Sequence, residues 1–159
     1  TNSENHYDKE LGVPIGKDRF DIFLEIVPKL KGENYWYALA DAYTNSDNLY
    51  SKRKKVKNAF RSHIPGRQAL MKTKEIKFLE SLPNIVTIYR GMTEMEFESG
   101  EYGISWTTKR KEAEKFAFKY SRNFDTNHLT KMVMDIRVKR EDIIAVFLGR
   151  NEYEVIVDI

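Results

Sequence analysis

Apolar residues in the first half of the chain recur at the spacing of amphipathic helices. This pattern predicts four helices, over residues 19–30, 35–43, 49–62 and 67–82. Pro28 indicates an end or a kink near the close of the first helix, and Pro65-Gly66 separates the last two. Residues 1–18 are polar and contain Gly12, Pro14 and Gly16, so they predict a loose lead-in.

Beyond Pro83 the pattern changes to short β-branched or alternating runs. Strands are predicted over residues 85–90, 103–107, 132–138, 143–148 and 152–157, with one helix over 109–120. Gly91 is expected to end the first strand, and residues 92–102 and 121–130 are expected to be polar connections. Helices followed by strands predict one α+β domain over 1–159, with a helical part (19–82) and a β-rich part (83–159).

The last predicted strand carries two carboxylates at the head of an apolar run. Side chains alternate along a strand, so Glu152 and Glu154 are expected on one face, roughly 7 Å apart. Tyr153, Val155 and Val157 are expected to face the core. Acidic groups are costly on a buried strand unless they face a cleft or have partners. We therefore predict that Glu152 and Glu154 face an active-site cleft.

Composition narrows the chemistry of such a site. The chain has 159 residues and no cysteine, which excludes disulfides, zinc–thiolate sites and thiol nucleophiles. His6, His63 and His128 lie in separate segments without ligand spacing, so no metal site is predicted. No apolar run approaches the length of a membrane span, and we expect a cytoplasmic protein that does not contact a membrane.

A basic run lies in the third predicted helix. It contains Lys52, Arg53, Lys54, Lys55 and Lys57. Such a run is usually a solvated helix face. The alternative is a patch that docks an acidic partner or a nucleic acid. The net charge of +3 does not by itself require a nucleic acid.

Three short motifs lie at predicted strands of the second half. They are Tyr89-Arg90-Gly91, Ser105-Trp106-Thr107 and Glu152-Tyr153-Glu154. Their order and spacing over about residues 84–158 resemble the R-S-E group of mono-ADP-ribosyltransferases. Trp106 departs from the Ser-Thr-Ser pattern of that group at the middle position, and Thr107 keeps a hydroxyl at the last. Glu152, where other members have Gln, resembles the arginine-modifying pattern.

The resemblance implies a fold, a co-substrate and a set of roles. The fold would be N-terminal helices packed on a two-sheet β core, with NAD in a cleft. Arg90 would hold the phosphate and ribose of NAD, Ser105 would position Glu154, and Glu154 would be the catalytic carboxylate. Glu152 would orient or deprotonate the incoming nucleophile. The remaining implied contacts are Tyr89, Gly91, Trp106 and Thr107 for NAD, and Arg150, Asn151 and Tyr153 for the target protein.

These roles agree with the chemistry of the nicotinamide–ribose bond, which breaks through an oxocarbenium-like state. A guanidinium suits phosphate or ribose oxygens, and a carboxylate stabilises the developing positive charge. Two of these assignments each have a simpler alternative. Trp106 either stacks on a ring of NAD or lies in the core. Residues 147–151 either contact the target or form only a hairpin turn.

The expected function is therefore transfer of ADP-ribose from NAD to a protein side chain, most simply an arginine. The chain also resembles small phage and prophage proteins, which extends the expectation to a toxin-like or phage-encoded factor. NAD glycohydrolysis, with water as the acceptor, uses the same donor chemistry and stays an alternative. A second alternative is a non-catalytic module of the same fold that binds a protein or nucleic acid through the basic helix.

Overall fold

The computed structural model describes residues 7–8, 13–14, 18–46, 49–119 and 130–159. The chain forms two compact units, of which the first comprises Thr1–Leu49 and Asn58–Leu70. The second comprises Tyr50–Lys57 and Met71–Ile159. Helices dominate the first unit, whereas the second combines helices with a five-stranded antiparallel sheet. The predicted α+β class is therefore confirmed.

Among its described residues, the first unit contains the whole of α1 (Arg19–Ile26) and α2 (Glu33–Thr44). The Asp18 carboxylate caps α1 by accepting a hydrogen bond from the Asp21 amide at 2.9 Å. Pro28 has no amide hydrogen to continue α1, so the helix gives way to a 3-10 turn before the predicted boundary.

A short antiparallel ladder lies within the predicted lead-in. It joins β1 (Tyr7–Asp8) to β2 (Val13–Pro14). This part of the lead-in is therefore paired backbone and not the loose arm that the sequence predicts. The other residues up to position 17 lie outside the described ranges.

The apolar stripes of α1 and α2 meet in an aromatic core. Phe23 packs on Tyr35 with ring centroids 5.4 Å apart, and Tyr35 meets Trp36 edge to face at 4.9 Å. The polar atoms of these rings are satisfied by the main chain. The Tyr35 hydroxyl donates to the Ala59 carbonyl at 2.7 Å, and the Trp36 indole donates to the Ile64 carbonyl at 2.9 Å.

The third and fourth predicted helices are each divided into a 3-10 turn and a shorter α-helix. The segments are Leu49–Lys52 followed by α3 (Arg53–Phe60), and Arg67–Leu70 followed by α4 (Thr73–Ser81). The second division has a local cause. The buried Glu75 carboxylate accepts the Lys72 amide at 2.8 Å, which fixes a new helix start there.

Five strands form the sheet of the second unit: β3 (Ile85–Thr93), β4 (Ser105–Thr107), β5 (Lys131–Lys139), β6 (Ala145–Phe147) and β7 (Glu154–Ile156). Their order across the sheet is β5-β3-β4-β7-β6, and all neighbours are antiparallel. β4 lies between β3 and β7. The sheet therefore brings the three sequence motifs to three adjacent strands.

The structure corrects several predicted boundaries in this unit. Gly91 does not end β3, because it pairs with Val133 on β5 and the strand continues to Thr93. The predicted polar connection over 92–102 contains a helix, α5 (Glu94–Ser99). The helix predicted over 109–120 is α6 (Arg110–Glu114), which continues as a π-helix over Lys115–Lys119. Residues 120–129, and with them most of the predicted loop, lie outside the described ranges.

One face of the sheet packs against α4 in the main core of this unit. Its strand residues include Val86, Ile88, Trp106, Val146 and Val155, which meet Phe78 and Leu79 of α4. The other face is approached by α6 and the π-helix. Within the described ranges, no helix combines the length and the apolar character that crossing a membrane requires.

Candidate functional site

Tyr89, Thr107 and Glu154 lie side by side across three neighbouring strands. Tyr89 on β3 is opposite Thr107 on β4, and Thr107 is opposite Glu154 on β7. Directly opposed residues of antiparallel strands share a face, so these side chains leave the sheet on one side. Ser105 lies two residues before Thr107 and therefore shares that face.

Ser105 and Glu154 are in direct contact. The Ser105 hydroxyl donates to the Glu154 carboxylate at 2.5 Å, and both residues are half-buried. A hydroxyl bound to a carboxylate at such a distance makes a charge-assisted hydrogen bond, which orients the acceptor. The pairing of β4 with β7 places a fixed, partly exposed carboxylate on the sheet face that α6 approaches.

Arg90 joins the same group of residues through the main chain. Its guanidinium donates to the Ser105 carbonyl oxygen at 3.0 Å. It also makes two bonds to Glu96, from Nε to Oε2 at 2.7 Å and from Nη2 to Oε1 at 3.1 Å. The predicted Arg, Ser and Glu are thus connected in one run of contacts, and Glu96 is its fourth member.

Arg90 and Glu154 leave the sheet on opposite faces. Arg90 follows Tyr89, so strand alternation places it with the buried Ile88 and Met92 on the core side. Ser105 connects the two sides, because its carbonyl accepts from Arg90 while its hydroxyl donates to Glu154. One hydrogen bond therefore connects the Arg90 guanidinium to the main chain that carries the Ser105 hydroxyl.

Glu96 is a site residue that the sequence reasoning missed. Its side chain is 7% exposed in the ion pair with Arg90, and its Oε2 also accepts the Gly103 amide at 3.1 Å. The sequence predicts only a polar connection over residues 92–102, which include Glu96. A local signal was present, because Thr93 followed three residues later by Glu96 is a capping-box pattern. Thr93 does cap α5, by accepting the Glu96 amide at 3.1 Å.

Gly103 leaves room for the Arg90 guanidinium. A Cβ at this position would lie 2.6 Å from Nη2 and 2.7 Å from Cζ of Arg90. Those separations are far inside van der Waals contact, so any larger side chain would displace the guanidinium. The need for glycine here comes from this close approach.

Tyr50 and Arg53 lie beside Arg90. The Arg53 guanidinium stacks 4.3 Å from the Tyr50 ring centroid, and Arg90 lies 5.8 Å from that centroid. The Tyr50 hydroxyl donates to the Glu101 carbonyl at 2.7 Å, and Arg53 pairs with the Glu101 carboxylate at 3.2 Å. Arg53, near the start of the basic run, is thus connected to Arg90 through the Tyr50 ring between them.

Two residues placed in the predicted NAD site have clear packing roles. A Cβ on Gly91 would meet the Ala113 carbonyl at 2.4 Å and the Ala117 amide at 2.8 Å, so glycine lets α6 and the π-helix approach β3. Trp106 is 2% exposed, lies in the core cluster and donates to the Gly103 carbonyl at 3.0 Å. This burial fits the core alternative for Trp106, since the indole offers almost no open face for stacking.

The segment before β7 departs from the predicted strand. Asn151 and Tyr153 have left-handed backbones, with φ of 57° and 51°, and the strand begins only at Glu154. The premise that Glu152 and Glu154 share a strand face is therefore wrong. Val155 and Val157 are buried as predicted, at 0% and 2% exposure. Arg150 and Asn151 are exposed in the turn that precedes the strand.

Contacts from β4 and α4 hold this segment in place. The Thr107 hydroxyl donates to the Glu152 carbonyl at 2.7 Å, and the Thr108 amide donates to the Tyr153 carbonyl at 3.3 Å. The Tyr153 ring packs on Phe78, with centroids 5.6 Å apart. Left-handed backbone in a tyrosine is costly and persists only where the surroundings enforce it, and such strain tends to cluster at functional sites.

A buried hydroxyl lies next to these contacts. Among the described residues, the Thr108 Oγ1 is the buried side-chain oxygen that has no hydrogen-bond partner.

Within the described ranges, no group of three or more histidine or acidic side chains is arranged to hold a metal ion.

No protein-family model, curated protein or solved structure matches this chain.

Proposed function

We propose that this chain is an NAD-dependent mono-ADP-ribosyltransferase that modifies a protein side chain, most simply an arginine. The observation that carries the proposal is the hydrogen bond of 2.5 Å between the Ser105 hydroxyl and the Glu154 carboxylate. These two residues come from separate motifs of the R-S-E pattern and meet through the pairing of β4 with β7. Arg90, from the third motif, binds the Ser105 carbonyl.

Glu154 supplies the electrostatics of the proposed reaction. The bond between the ribose C1′ and the nicotinamide nitrogen breaks, and its electron pair leaves with nicotinamide. Positive charge develops on the ribose, and a fixed carboxylate stabilises it without reorganising. The acceptor nitrogen then attacks C1′ and loses a proton, which Glu152 would take directly or through water.

Arg90 is assigned to the phosphate and ribose of NAD by the resemblance, although its side chain leaves the sheet on the face opposite to Glu154. Among the described residues, three of its five N–H groups donate to Glu96 and to the Ser105 carbonyl. Its side chain is 16% exposed in the ion pair with Glu96. A planar guanidinium is well suited to phosphate oxygens because it presents several donors in fixed directions.

The remaining elements of the proposal follow the same assignment. The fold would be of ADP-ribosyltransferase type, with a two-sheet core, and NAD would be a co-substrate without a metal. Arg150, Asn151 and Tyr153 would contact the target protein beside Glu152. Because NAD is an intracellular co-substrate, the activity would operate in the cytoplasm of the producing or host cell.

Incubation of the purified chain with labelled NAD and a cell lysate tests the proposal. Label that becomes attached to protein, and that a Glu154→Gln variant fails to attach, supports the transferase. Nicotinamide release without labelled protein would make the chain an NAD glycohydrolase. Absence of both, together with no binding of NAD in calorimetry, would exclude the enzyme and favour a non-catalytic module.

The role of Glu152 is tested by separating the two half-reactions. A Glu152→Gln variant is expected to release nicotinamide into water at close to the wild-type rate, while transfer to protein falls strongly. Mass spectrometry of the labelled protein then identifies the acceptor residue. Equal loss of both reactions would show that Glu152 serves the donor site and does not act on the acceptor.

A further inference from the structure

Glu96 holds Arg90 in a single orientation. Both carboxylate oxygens bind the guanidinium, and Oε2 also accepts the Gly103 amide. Such two-point pairing fixes the plane of the guanidinium as well as its position. The pair is largely withdrawn from solvent, at 16% and 7% exposure, so salt screens it weakly.

The oriented guanidinium in turn holds the main chain at the start of β4. Its Nη1 donates to the Ser105 carbonyl at 3.0 Å. The Ser105 hydroxyl, on the same residue, makes the short bond to Glu154. A run of four residues therefore leads from a buried carboxylate on α5 to the half-buried carboxylate on β7.

We infer that Glu96 is a positioning residue of the site, which acts through Arg90 and Ser105 to fix the Glu154 carboxylate. This inference rests on the proposed function. Burying a carboxylate and a guanidinium carries a desolvation penalty that a pair of apolar residues would avoid. The pair would offset this penalty in function by fixing Ser105, which orients Glu154. A shift of a catalytic group by about 1 Å costs up to about 100-fold in rate.

Two variants displace the guanidinium by different means. Glu96→Gln keeps the shape of the side chain but removes its charge and one acceptor oxygen. Gly103→Ala keeps every charge and places a Cβ 2.6 Å from Nη2 of Arg90. Glu98→Gln is the matched control, because Glu98 is an exposed residue on the same helix, α5.

The test measures kcat for nicotinamide release from NAD. We expect Glu96→Gln and Gly103→Ala each to lower kcat by about 10- to 100-fold, and Glu98→Gln to leave it unchanged. The melting temperature of each variant shows whether it is folded. If one of the two does not fold, the other still decides the outcome.

Coupling to Ser105 separates positioning from a purely structural role. If Glu96 acts through Ser105, adding Glu96→Gln to Ser105→Ala lowers kcat by less than about twofold further, since interacting sites are not additive. A full additional loss in the double variant would overturn the inference, as would a folded Glu96→Gln variant with wild-type kcat. A wild-type chain that neither binds nor cleaves NAD would instead refute the proposed function itself, and the inference with it.

Discussion

Each of the two units contains an arginine with several contacts, and the two arginines differ: Arg67 is exposed, whereas Arg90 is half-buried. In the first unit, Arg67 donates to the Phe60 carbonyl at 2.8 Å and stacks 4.7 Å from the Trp36 ring. In the second, Arg90 pairs with Glu96 and binds Ser105, which binds Glu154. The contacts of Arg67 are thus with the main chain and an aromatic ring. The contacts of Arg90 connect it, through Ser105, to a second carboxylate, that of Glu154.

This difference shows which feature of an arginine points to a site. Burial lowers the pKa of Arg67, yet its contacts are those of a residue that stabilises helices and an aromatic core. Arg90 differs in its partners, because they connect it to an acidic group that is still half-exposed. The partners of the arginine therefore distinguish a candidate site from a packing contact.

The largest expected effect is on the proposed cleavage of NAD, through Glu154 of the second unit. Glu154→Gln keeps an acceptor for Ser105 but removes the negative charge, so we expect NAD turnover to fall about 100- to 1,000-fold. The melting temperature is expected to stay close to that of the wild type. Initial rates of nicotinamide release measure the effect, with the exposed Glu141→Gln as a control. Unchanged turnover would remove Glu154 from the mechanism.

A smaller loss is expected when the orienting hydroxyl is removed. Ser105→Ala deletes a hydrogen bond to a charged group, which is worth about 1.5–3 kcal/mol and corresponds to roughly 10- to 150-fold in rate. Ser105→Thr restores the hydroxyl and is expected to recover part of the activity. The measurement is kcat for NAD cleavage. An alanine variant as active as the wild type would mean that the contact with Glu154 does not assist the reaction.

The comparison predicts the opposite outcome for the arginine of the first unit. Arg67→Ala removes a hydrogen bond and the stack on Trp36, and we expect the unfolding free energy to fall by about 1–3 kcal/mol. KM and kcat for NAD should remain at wild-type values under native conditions. Urea unfolding and steady-state kinetics on the same preparation test this. A specific change in KM without loss of stability would contradict the assignment of Arg67 to packing.

The smallest expected effect is on the pH dependence of the first unit. Burial raises the pKa of Tyr35 above its ordinary value of 10.0, and hydrogen bonding to Ser62 and the charge of Arg67 oppose this. The folded state therefore keeps the proton more tightly than the unfolded state does. The stabilisation is complete below pH 10 and is lost as the pH rises through the folded-state pKa.

Tyr35→Phe isolates this contribution. The variant lacks the hydrogen bond to Ala59, so it should be less stable at neutral pH, but its stability should fall less above pH 10. Urea unfolding at neutral and alkaline pH measures the difference between the two chains. Parallel pH profiles would show that Tyr35 ionises equally well in the folded and unfolded states.

Local sequence patterns predicted the elements better than their ends. The aromatic stripes of α1 and α2 and the buried Val155 and Val157 follow from periodicity, which reports the face that each element buries. Gly91 misled the prediction because a glycine also marks a turn. Here a helix packs closely against it, and the strand continues. Tyr153 interrupts the last strand because contacts from other elements hold its left-handed backbone.

For the candidate site, too, some features could be predicted from the sequence and others could not. The fold class, the apolar faces and three motifs that each contain a residue of the connected run could be read from the sequence. Tertiary structure was needed to show that Ser105 binds Glu154 across 49 positions of sequence, and that the Arg90 guanidinium makes two hydrogen bonds to Glu96. The physical reason is that hydrophobic periodicity is a local property, whereas the partner of a buried charge depends on the order of strands in the sheet.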